Sequence, residues 1–112
     1  MPCAETVIDW CWPAVVAHRC GGRLAPENAV EGLERAAAAG VGGVEFDAML
    51  AACGTPVVIH DETLERTTDG TGAVGGQPWS ELRHRRLRDA HGNLTEARLP
   101  SLAQALDACQ RL

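Results

Sequence analysis

Short apolar runs alternate with a helical repeat in the first part of the chain. Three runs have the length and flanking turn residues that are typical of buried strands: residues 14–18, 42–50 and 56–60. Between the first two runs, apolar residues recur at helical spacing at Val30, Leu33, Ala36 and Ala37. The order strand, helix, strand, strand predicts an α/β fold with a parallel sheet and helices outside it.

Sequence signals predict where the first helix begins and ends. Asn28 and Glu31 have the spacing of a capping box, with an N-cap acceptor followed by an acid three residues later. Gly40 follows the alanine run, at the position where a left-handed residue commonly ends a helix. The helix is therefore expected between Asn28 and Gly40.

The second part of the chain carries weaker signals. The Gly-rich segment 67–78 is typical of an irregular loop, and residues 89–93 are typical of a turn. A short helix is predicted from Trp79, with Ser80 as a weak cap. A last helix is predicted from Ser101 to the end of the chain.

The chain length limits the architecture that these elements can complete. A closed (β/α)₈ barrel needs roughly 250 residues, whereas this chain has 112. The elements end on a helix, where the next strand of a barrel is expected. These elements therefore do not complete a barrel, and either a barrel or an open α/β sheet stays possible from the pattern.

Composition and charge narrow the function classes. The net charge of −5 gives little attraction to nucleic acid, and the basic run 82–88 is interpreted as a solvated helix face. The five cysteines include no C-x-x-C pair, which disfavours disulfides or a zinc knuckle and favours reduced thiols in a cytoplasmic protein. No stretch approaches the roughly 20 apolar residues of a membrane span. The acidic amino terminus is unlike a secretory signal.

Two carboxylates interrupt the second predicted strand. Side chains alternate along a strand, so Glu45, Asp47 and Met49 are expected to share one face. Carboxylate oxygens at this spacing can bind one hard cation, Ca²⁺ or Mg²⁺ rather than Zn²⁺. Taken alone, the pair is more typical of two ordinary acids on a solvent-facing edge strand.

Two histidines and an arginine lie at the ends of predicted strands. His18 and His60 end the first and third strands, and Arg19 follows His18. A histidine pair can divide general base and general acid work, and an arginine can bind a phosphate through two hydrogen bonds. Each alone is more often a structural histidine or a surface ion pair. Together, three strand ends carry His-Arg, Glu-x-Asp and His-Asp, a set that suits phosphodiester hydrolysis.

Three segments carry a family resemblance: "WPAVVAHRCGGRLAPENA", "GGVEFDAMLAACGTPVVIHDETLERTTDGTG" and "LPSLAQAL". From about Trp12 to Leu106, the chain resembles a glycerophosphodiester phosphodiesterase of the bacterial cytoplasmic type. The resemblance implies a TIM barrel that hydrolyses glycerophosphodiesters to glycerol 3-phosphate and an alcohol. It also implies a divalent cation, usually Ca²⁺ or Mg²⁺, as cofactor.

The resemblance assigns roles to individual residues. It implies two catalytic histidines, a phosphate-binding arginine and two metal ligands, which correspond here to His18, His60, Arg19, Glu45 and Asp47. The matching "PEN" segment, with Glu27 and Asn28, is expected to shape the mouth of the site beside the substrate and to cap the helix.

The resemblance also divides the chain, taken as one partial domain over residues 1–112. Residues 12–62 correspond to the first three barrel strands and the first helix. Residues 63–100 resemble the small insertion that the family carries over the substrate entrance, and residues 101–112 form a helix. The expected fold is thus the N-terminal part of a TIM barrel, truncated.

Some positions depart from the family pattern. Cys20 stands where the family usually has glycine, which implies strain if that position requires a positive φ; a thiol there is either reactive or simply tolerated. A third metal-binding glutamate and a phosphate-contacting lysine lie on a later strand of the family, beyond this sequence.

These departures leave three hypotheses. The first is an enzyme of this family, of which this chain is a part. The second is a non-catalytic remnant that acts at most as a binding or association module. An exposed sheet edge would then favour self-association. The third is a nucleic-acid-binding module built on residues 82–88, which the acidic charge disfavours.

Overall fold

The computed structural model describes residues 12–112, and most of its elements are short. The helices are α1 (Val30–Ala38), α2 (Trp79–Leu82) and α3 (Leu102–Arg111). The strands are β1 (Val16–Ala17), β2 (Gly43–Val44), β3 (Ala48–Leu50), β4 (Pro56–Val58), β5 (Arg86–Arg88) and β6 (Leu94–Arg98), with one 3₁₀ turn at Val74–Gly76. The acidic amino terminus, with Cys3 and Cys11, lies outside the described residues.

The sheet is parallel only in its first part. β1 and β2 pair in parallel, with Ala17 opposite Val44, as predicted. β3 and β4 form an antiparallel hairpin, so the prediction of a fully parallel sheet is wrong. The connection at 51–55 is far shorter than the crossover that parallel strands require. Gly54, at φ +84°, makes the tight turn possible.

Residues 42–50 form two short strands instead of the single predicted strand. β2 pairs with β1 and β3 pairs with β4, so the chain changes partner between them. The Glu45 N–H donates to the carbonyl of Ala17 at 2.8 Å, and its own carbonyl accepts from the N–H of Cys20 at 2.8 Å. The Ile59 N–H donates to the carbonyl of Asp47 at 3.0 Å. Both carboxylates therefore lie where the chain passes from one partner to the next.

Helix α1 begins without the predicted capping box. Its N-cap is Ala29, and no side chain caps it. Asn28 has a left-handed backbone, with φ +59°, and its side-chain amide donates to Asp47 instead. At the other end, Gly40 has φ +81°, as its predicted C-terminal role requires.

A glycine contact fixes the loop after β1 against α1. A Cβ at Gly21 would lie 2.5 Å from the Cα of Gly32, a contact that only glycine permits. On the same helix Leu33 and Ala36 are buried, whereas Ala37, predicted on the apolar face, is exposed. The loop that carries Arg19 and its neighbours is thus held close to the helix.

The basic run 82–88 is not a helix face, which corrects the prediction. Helix α2 ends at Leu82 after four residues, and the run continues into β5. The reason lies in the middle of the run, because Leu87 is buried in the core and forms a bridge to Thr68. The predicted Ser80 cap is also wrong, since the N-cap is Pro78.

The remaining loop and turn largely follow the sequence signals. Segment 67–78 is irregular apart from its single 3₁₀ turn. It is anchored by Thr68, whose buried Oγ1 donates to the Leu64 carbonyl at 2.7 Å. The predicted turn at 89–93 joins β5 to β6, and Gly92 has φ +83° there.

Helix α3 begins where the sequence predicts. Ser101 is its N-cap, and a reciprocal capping box joins Ser101 to Gln104. Its buried Ala105 and Ala108 belong to a cluster with residues of other elements, Cys20, Leu33 and Val58. Among the described residues, no helix is long and apolar enough to cross a membrane.

Candidate active site

The residues singled out in the sequence come together at the ends of β1, β2 and β4. Side-chain ion pairs join them, the backbone N–H of Arg19 links Glu45 to the rest, and Arg66, which the spacing did not single out, takes part. The residues involved are His18, Arg19, Glu27, Glu45, Asp47, His60, Asp61 and Arg66. We refer to these eight residues as the charged network.

Glu45 connects the two residues that follow β1. Its Oε1 lies 3.8 Å from Nε2 of His18 and accepts a 3.1 Å hydrogen bond from the backbone N–H of Arg19. The His18 side chain is 69% exposed, and that of Glu45 is 46% exposed. Both groups are therefore open to a ligand from solution.

Arg19 lies between two carboxylates. Its Nη1 donates to Oε1 of Glu27 at 2.7 Å, and its Nε lies 4.0 Å from Oδ2 of Asp47. That Nε is buried and has no hydrogen-bond partner among the described residues. An unsatisfied guanidinium donor is costly in a folded protein unless something else binds it.

His60 is oriented by its neighbour in sequence. Its Nδ1 lies 2.8 Å from Oδ1 of Asp61. A proton on Nδ1 satisfies this contact, because an ionised carboxylate can only accept. The other ring nitrogen, Nε2, is then free to exchange a proton with a ligand.

Arg66 joins Asp61 to Glu27. It donates to Oδ2 of Asp61 at 2.8 Å from Nε and to Oδ1 at 3.0 Å from Nη2. It also donates to both carboxylate oxygens of Glu27, at 3.0 Å and 2.8 Å. One guanidinium group thus holds two carboxylates, one beside His60 and the other beside Arg19.

These arginines keep their carboxylates ionised. Hydrogen bonds from Arg66 and then His60 hold the pKa of Asp61 well below its usual range. For Glu27, burial raises the pKa, but hydrogen bonds from Arg66 and Arg19 outweigh it and lower the pKa overall. Hydrogen bonds to Asp61 and Glu27 in turn raise the pKa of Arg66.

Glu45 and Asp47 form a partial donor set for a hard cation. Both offer carboxylate oxygens, the donors that Ca²⁺ and Mg²⁺ prefer. Asn28 donates to Oδ2 of Asp47 at 3.2 Å and so fixes that side chain. Within residues 12–112, no group of three His, Cys, Asp or Glu residues could hold a metal. The chemistry of the pair fits the cation, but its number of ligands falls short of a full site.

Cys20 lies in a strained backbone conformation. Its φ is +76°, as expected if the residue occupies a position that favours glycine. The side chain is fully buried, and this burial, followed by the charge of Cys109, raises the pKa of the thiol to about 12. Cys20 is therefore a protonated packing residue and not a reactive thiol.

Spacing along the sequence did not reveal two residues of the site. Arg66 follows no strand and lies 39 residues from Glu27, which it binds. The spacing identified Asn28 as a helix cap, whereas its amide supports Asp47. Both residues lie in segments that carry the family resemblance, and this resemblance is the only sequence signal that could have drawn attention to them.

Paired carboxylates, arginines and histidines at the ends of strands form a charged site of the kind that α/β enzymes carry at the carboxyl ends of their strands. Residues 18–112 match the glycerophosphoryl diester phosphodiesterase family. The chain belongs to this family.

Curated relatives agree with this assignment. The chain is 37% identical over 102 residues to bovine (Bos taurus) glycerophosphodiester phosphodiesterase 1, which covers 86% of this chain and 30% of that protein. It is 47% identical over 60 residues to the glycerophosphodiester phosphodiesterase of Caldanaerobacter subterraneus subsp. tengcongensis, covering 54% of this chain and 25% of that protein.

Solved structures agree in fold. A glycerophosphoryl diester phosphodiesterase from Parabacteroides distasonis superposes with a TM-score of 0.82 at 38% identity, over 88% of this chain and 35% of that one. An Oleispira antarctica phosphodiesterase was solved with the product sn-glycerol-3-phosphate. It gives a TM-score of 0.79 at 33% identity, over 88% of this chain and 40% of that one. The chain thus has the fold of part of this family's TIM barrel and spans about a third of its relatives' length.

Proposed function

We propose that this chain contributes to the metal-dependent hydrolysis of glycerophosphodiesters to glycerol 3-phosphate and an alcohol. The charged network is the observation that carries the proposal. It brings both histidines, Arg19, Glu27 and both candidate metal ligands together within hydrogen-bond or ion-pair distances. Membership of the family and the product-bound structure of the Oleispira relative support the same substrate class.

The histidines are proposed to move the protons of the reaction. One takes a proton from the attacking hydroxyl, and the other gives a proton to the oxygen of the leaving alcohol. We assign the second task to His60, because the Asp61 carboxylate beside its Nδ1 is a suitable counter-charge for an imidazolium that donates from Nε2. His18, exposed beside Glu45, takes the role of base.

Arg19 and Glu27 are proposed to bind the substrate. The Arg19 side chain is 24% exposed, and its guanidinium group can donate to a phosphate oxygen. Glu27 accepts from the same guanidinium at 2.7 Å. It thereby restricts the orientation of the arginine, so that less conformational entropy is lost when the phosphate binds.

Glu45 and Asp47 are proposed to hold the divalent cation, Ca²⁺ or Mg²⁺. When bound, such an ion stabilises the negative charge that develops on the phosphoryl oxygens. Asn28 keeps the Asp47 carboxylate in place through its 3.2 Å hydrogen bond. A cytoplasmic setting is proposed as well, and the free thiols of Cys20, Cys53 and Cys109 support it.

A second candidate is a binding module without catalytic activity. It is favoured by the two-carboxylate donor set, which falls short of a full cation site within residues 12–112. Such a module would retain a phosphate or cation site, and His18 and His60 would transfer no protons.

The test is hydrolysis of glycerophosphocholine by the purified chain, after chelation and re-addition of Ca²⁺ or Mg²⁺. Activity is expected only with the cation, and His60→Ala is expected to reduce it at least about a hundredfold. The matched control is His84→Ala, because His84 is exposed and, among the described residues, bonds only through its backbone: its N–H donates to the Glu81 carbonyl and its carbonyl accepts from Arg98.

The outcomes separate the two candidates. Cation-dependent turnover that His60→Ala removes and His84→Ala preserves supports the enzyme. A folded chain that binds the diester without turning it over supports the binding module. Turnover that survives His60→Ala contradicts the proposed role of that histidine.

A further inference from the structure

A cavity of about 450 Å³ opens beside the charged network. Glu27 and Arg66 belong to the network and also line the cavity. Glu27 is in turn the residue that accepts a hydrogen bond from Arg19. Its other walls come from the loop after β1 and from the turn between β5 and β6. The cavity therefore adjoins the charged network on the side of Glu27 and Arg66.

Two arginines of the cavity wall, Arg23 and Arg88, form no ion pair within residues 12–112. Arg88 donates from Nε to the Thr68 carbonyl at 3.0 Å and from Nη1 to the Gly92 carbonyl at 2.9 Å. Its partners are thus uncharged backbone oxygens. Arg23 is exposed.

The acids of the cavity wall are already engaged. Glu27 accepts hydrogen bonds from Arg19 and from both Nη atoms of Arg66. Asp89 accepts from the backbone N–H groups of His91 and Asn93, at 2.9 Å and 3.0 Å. Glu27 is neutralised by its arginine partners, whereas hydrogen bonds from backbone N–H groups leave the charge of Asp89 in place. Arg23 and Arg88 together against Asp89 leave the cavity wall with one net positive charge.

A buried hydroxyl gives a second, independent indication of a ligand. Thr67 lines the cavity and is 7% exposed. Its Oγ1 is buried and has no hydrogen-bond partner in the described part of the chain. A buried polar group of this kind costs stability unless a water or a ligand binds it.

We propose that this cavity receives the alcohol group of the diester and prefers alcohols that carry a negative charge. Glycerol is uncharged in every glycerophosphodiester, so the charge of the cavity can discriminate only between alcohol groups. Arg23 and Arg88 attract the anionic substituent, and Thr67 Oγ1 supplies a hydrogen bond. This inference rests on the proposed function, because Arg19 must hold the phosphate for the alcohol to reach the cavity.

The experiment compares two ligands that differ by one carboxylate, glycerophosphoserine and glycerophosphoethanolamine. Titration calorimetry with the full chain carrying His60→Ala, in low salt with Mg²⁺, measures affinity while no hydrolysis consumes the ligand. Glycerophosphoserine is expected to bind about fivefold more tightly. Adding Arg23→Gln is expected to abolish this preference, and adding Thr67→Val is expected to weaken the binding of both ligands.

Controls make the result specific. Arg83→Gln removes an exposed charge that does not line the cavity, and it should leave the preference unchanged. Thr67→Val keeps the shape of the side chain and removes only an unpartnered hydroxyl, so folding should be preserved.

Each outcome bears on the proposal. Equal affinity for the two diesters, no binding of either, or a preference that survives Arg23→Gln would overturn the inference. Turnover of glycerophosphocholine together with equal affinities would leave the proposed function intact while the subsite fails. A serine preference without any turnover by the native chain would establish the subsite and remove the catalytic proposal.

Discussion

Arg66 connects the two halves of the candidate site, because its guanidinium group binds Glu27 on one side and Asp61 on the other. The Asp61 carboxylate in turn orients His60. In the proposed mechanism Arg66 is therefore a positioning residue: it holds Asp61 beside His60 and Glu27 beside Arg19.

We predict that Arg66→Gln lowers kcat for glycerophosphocholine about tenfold or more, with a smaller effect on KM. Without Arg66, the Asp61 side chain is free to rotate, and the His60 ring loses its fixed orientation. The pKa of Asp61, now well below its usual range, should rise towards the ordinary carboxyl value. Steady-state kinetics and an NMR titration of the Asp61 carboxyl group measure the two effects.

The control for Arg66 is Arg111→Gln, which breaks the exposed ion pair between Arg111 and Asp107 at 3.2 Å. This substitution should change neither kcat nor the titration of Asp61, since surface pairs contribute little. An unchanged kcat and an unchanged pKa of Asp61 in Arg66→Gln would show that Arg66 has no positioning role.

The sequence predicted site residues correctly where the end of a strand fixes the position of the side chain. His18, His60 and the carboxylate pair lie at or just beyond strand ends, and the end of a strand can be read from local pattern. The bonds of Arg66 to Glu27 span 39 residues. The partner of a long, flexible side chain is not indicated by any periodic pattern in the sequence, so the spacing could not reveal the role of Arg66.

At the level of elements, two residues at the starts of predicted helices behave differently, one as a cap and the other not. Ser101 caps α3 and bonds reciprocally with Gln104. Asn28 does not cap α1, because its amide supports Asp47 and its backbone is left-handed. A local rule holds only where no tertiary partner competes for the side chain.

We predict that Ser101→Ala lowers the free energy of unfolding by about 1 kcal/mol. The substitution leaves the Gln104 N–H, which now donates to Ser101 Oγ at 3.1 Å, without its partner. Helix α3 packs on the buried cluster that includes Cys20 and Leu33. Fraying of its first turn should therefore destabilise the whole domain. Urea unfolding followed by circular dichroism measures the change.

Ser80→Ala is the comparison for this cap. Ser80 lies inside α2, where no side chain caps the helix, so its replacement should change the unfolding free energy by less than ~0.5 kcal/mol. If the two alanine variants were equally stable, the reciprocal bonds of Ser101 would not contribute to stability.

Strand pairing was the element-level feature that the sequence predicted least well. The parallel pairing of β1 and β2 follows from the helix between them. The reversal into β3 and β4 depends on a five-residue connection and on backbone partners that change at 45–47. The apolar pattern of residues 42–50 is the same for one strand or two, so it could not distinguish them.

For the whole molecule, the predicted fold class is confirmed: the chain has the fold of part of a TIM barrel of its family. A barrel closes by pairing each strand on both sides. Within the described residues, β1 pairs only with β2, and its Val16 is 41% exposed, next to Val15 at 63%. An unpaired edge with apolar side chains is a surface on which a second strand can add.

We predict that the chain self-associates through the free edge of β1, with a second copy supplying the missing neighbour. Sedimentation velocity over a range of concentrations should show a reversible shift from monomer to dimer. Val16→Lys should move that shift to about tenfold higher concentration, because a charge at a strand edge opposes pairing. Leu106→Lys, at a 50% exposed site on α3, cannot affect an edge pairing and should leave the equilibrium unchanged. A monodisperse monomer at every concentration would mean that the edge of β1 is protected without a second chain, and catalysis would then have to be completed within one copy.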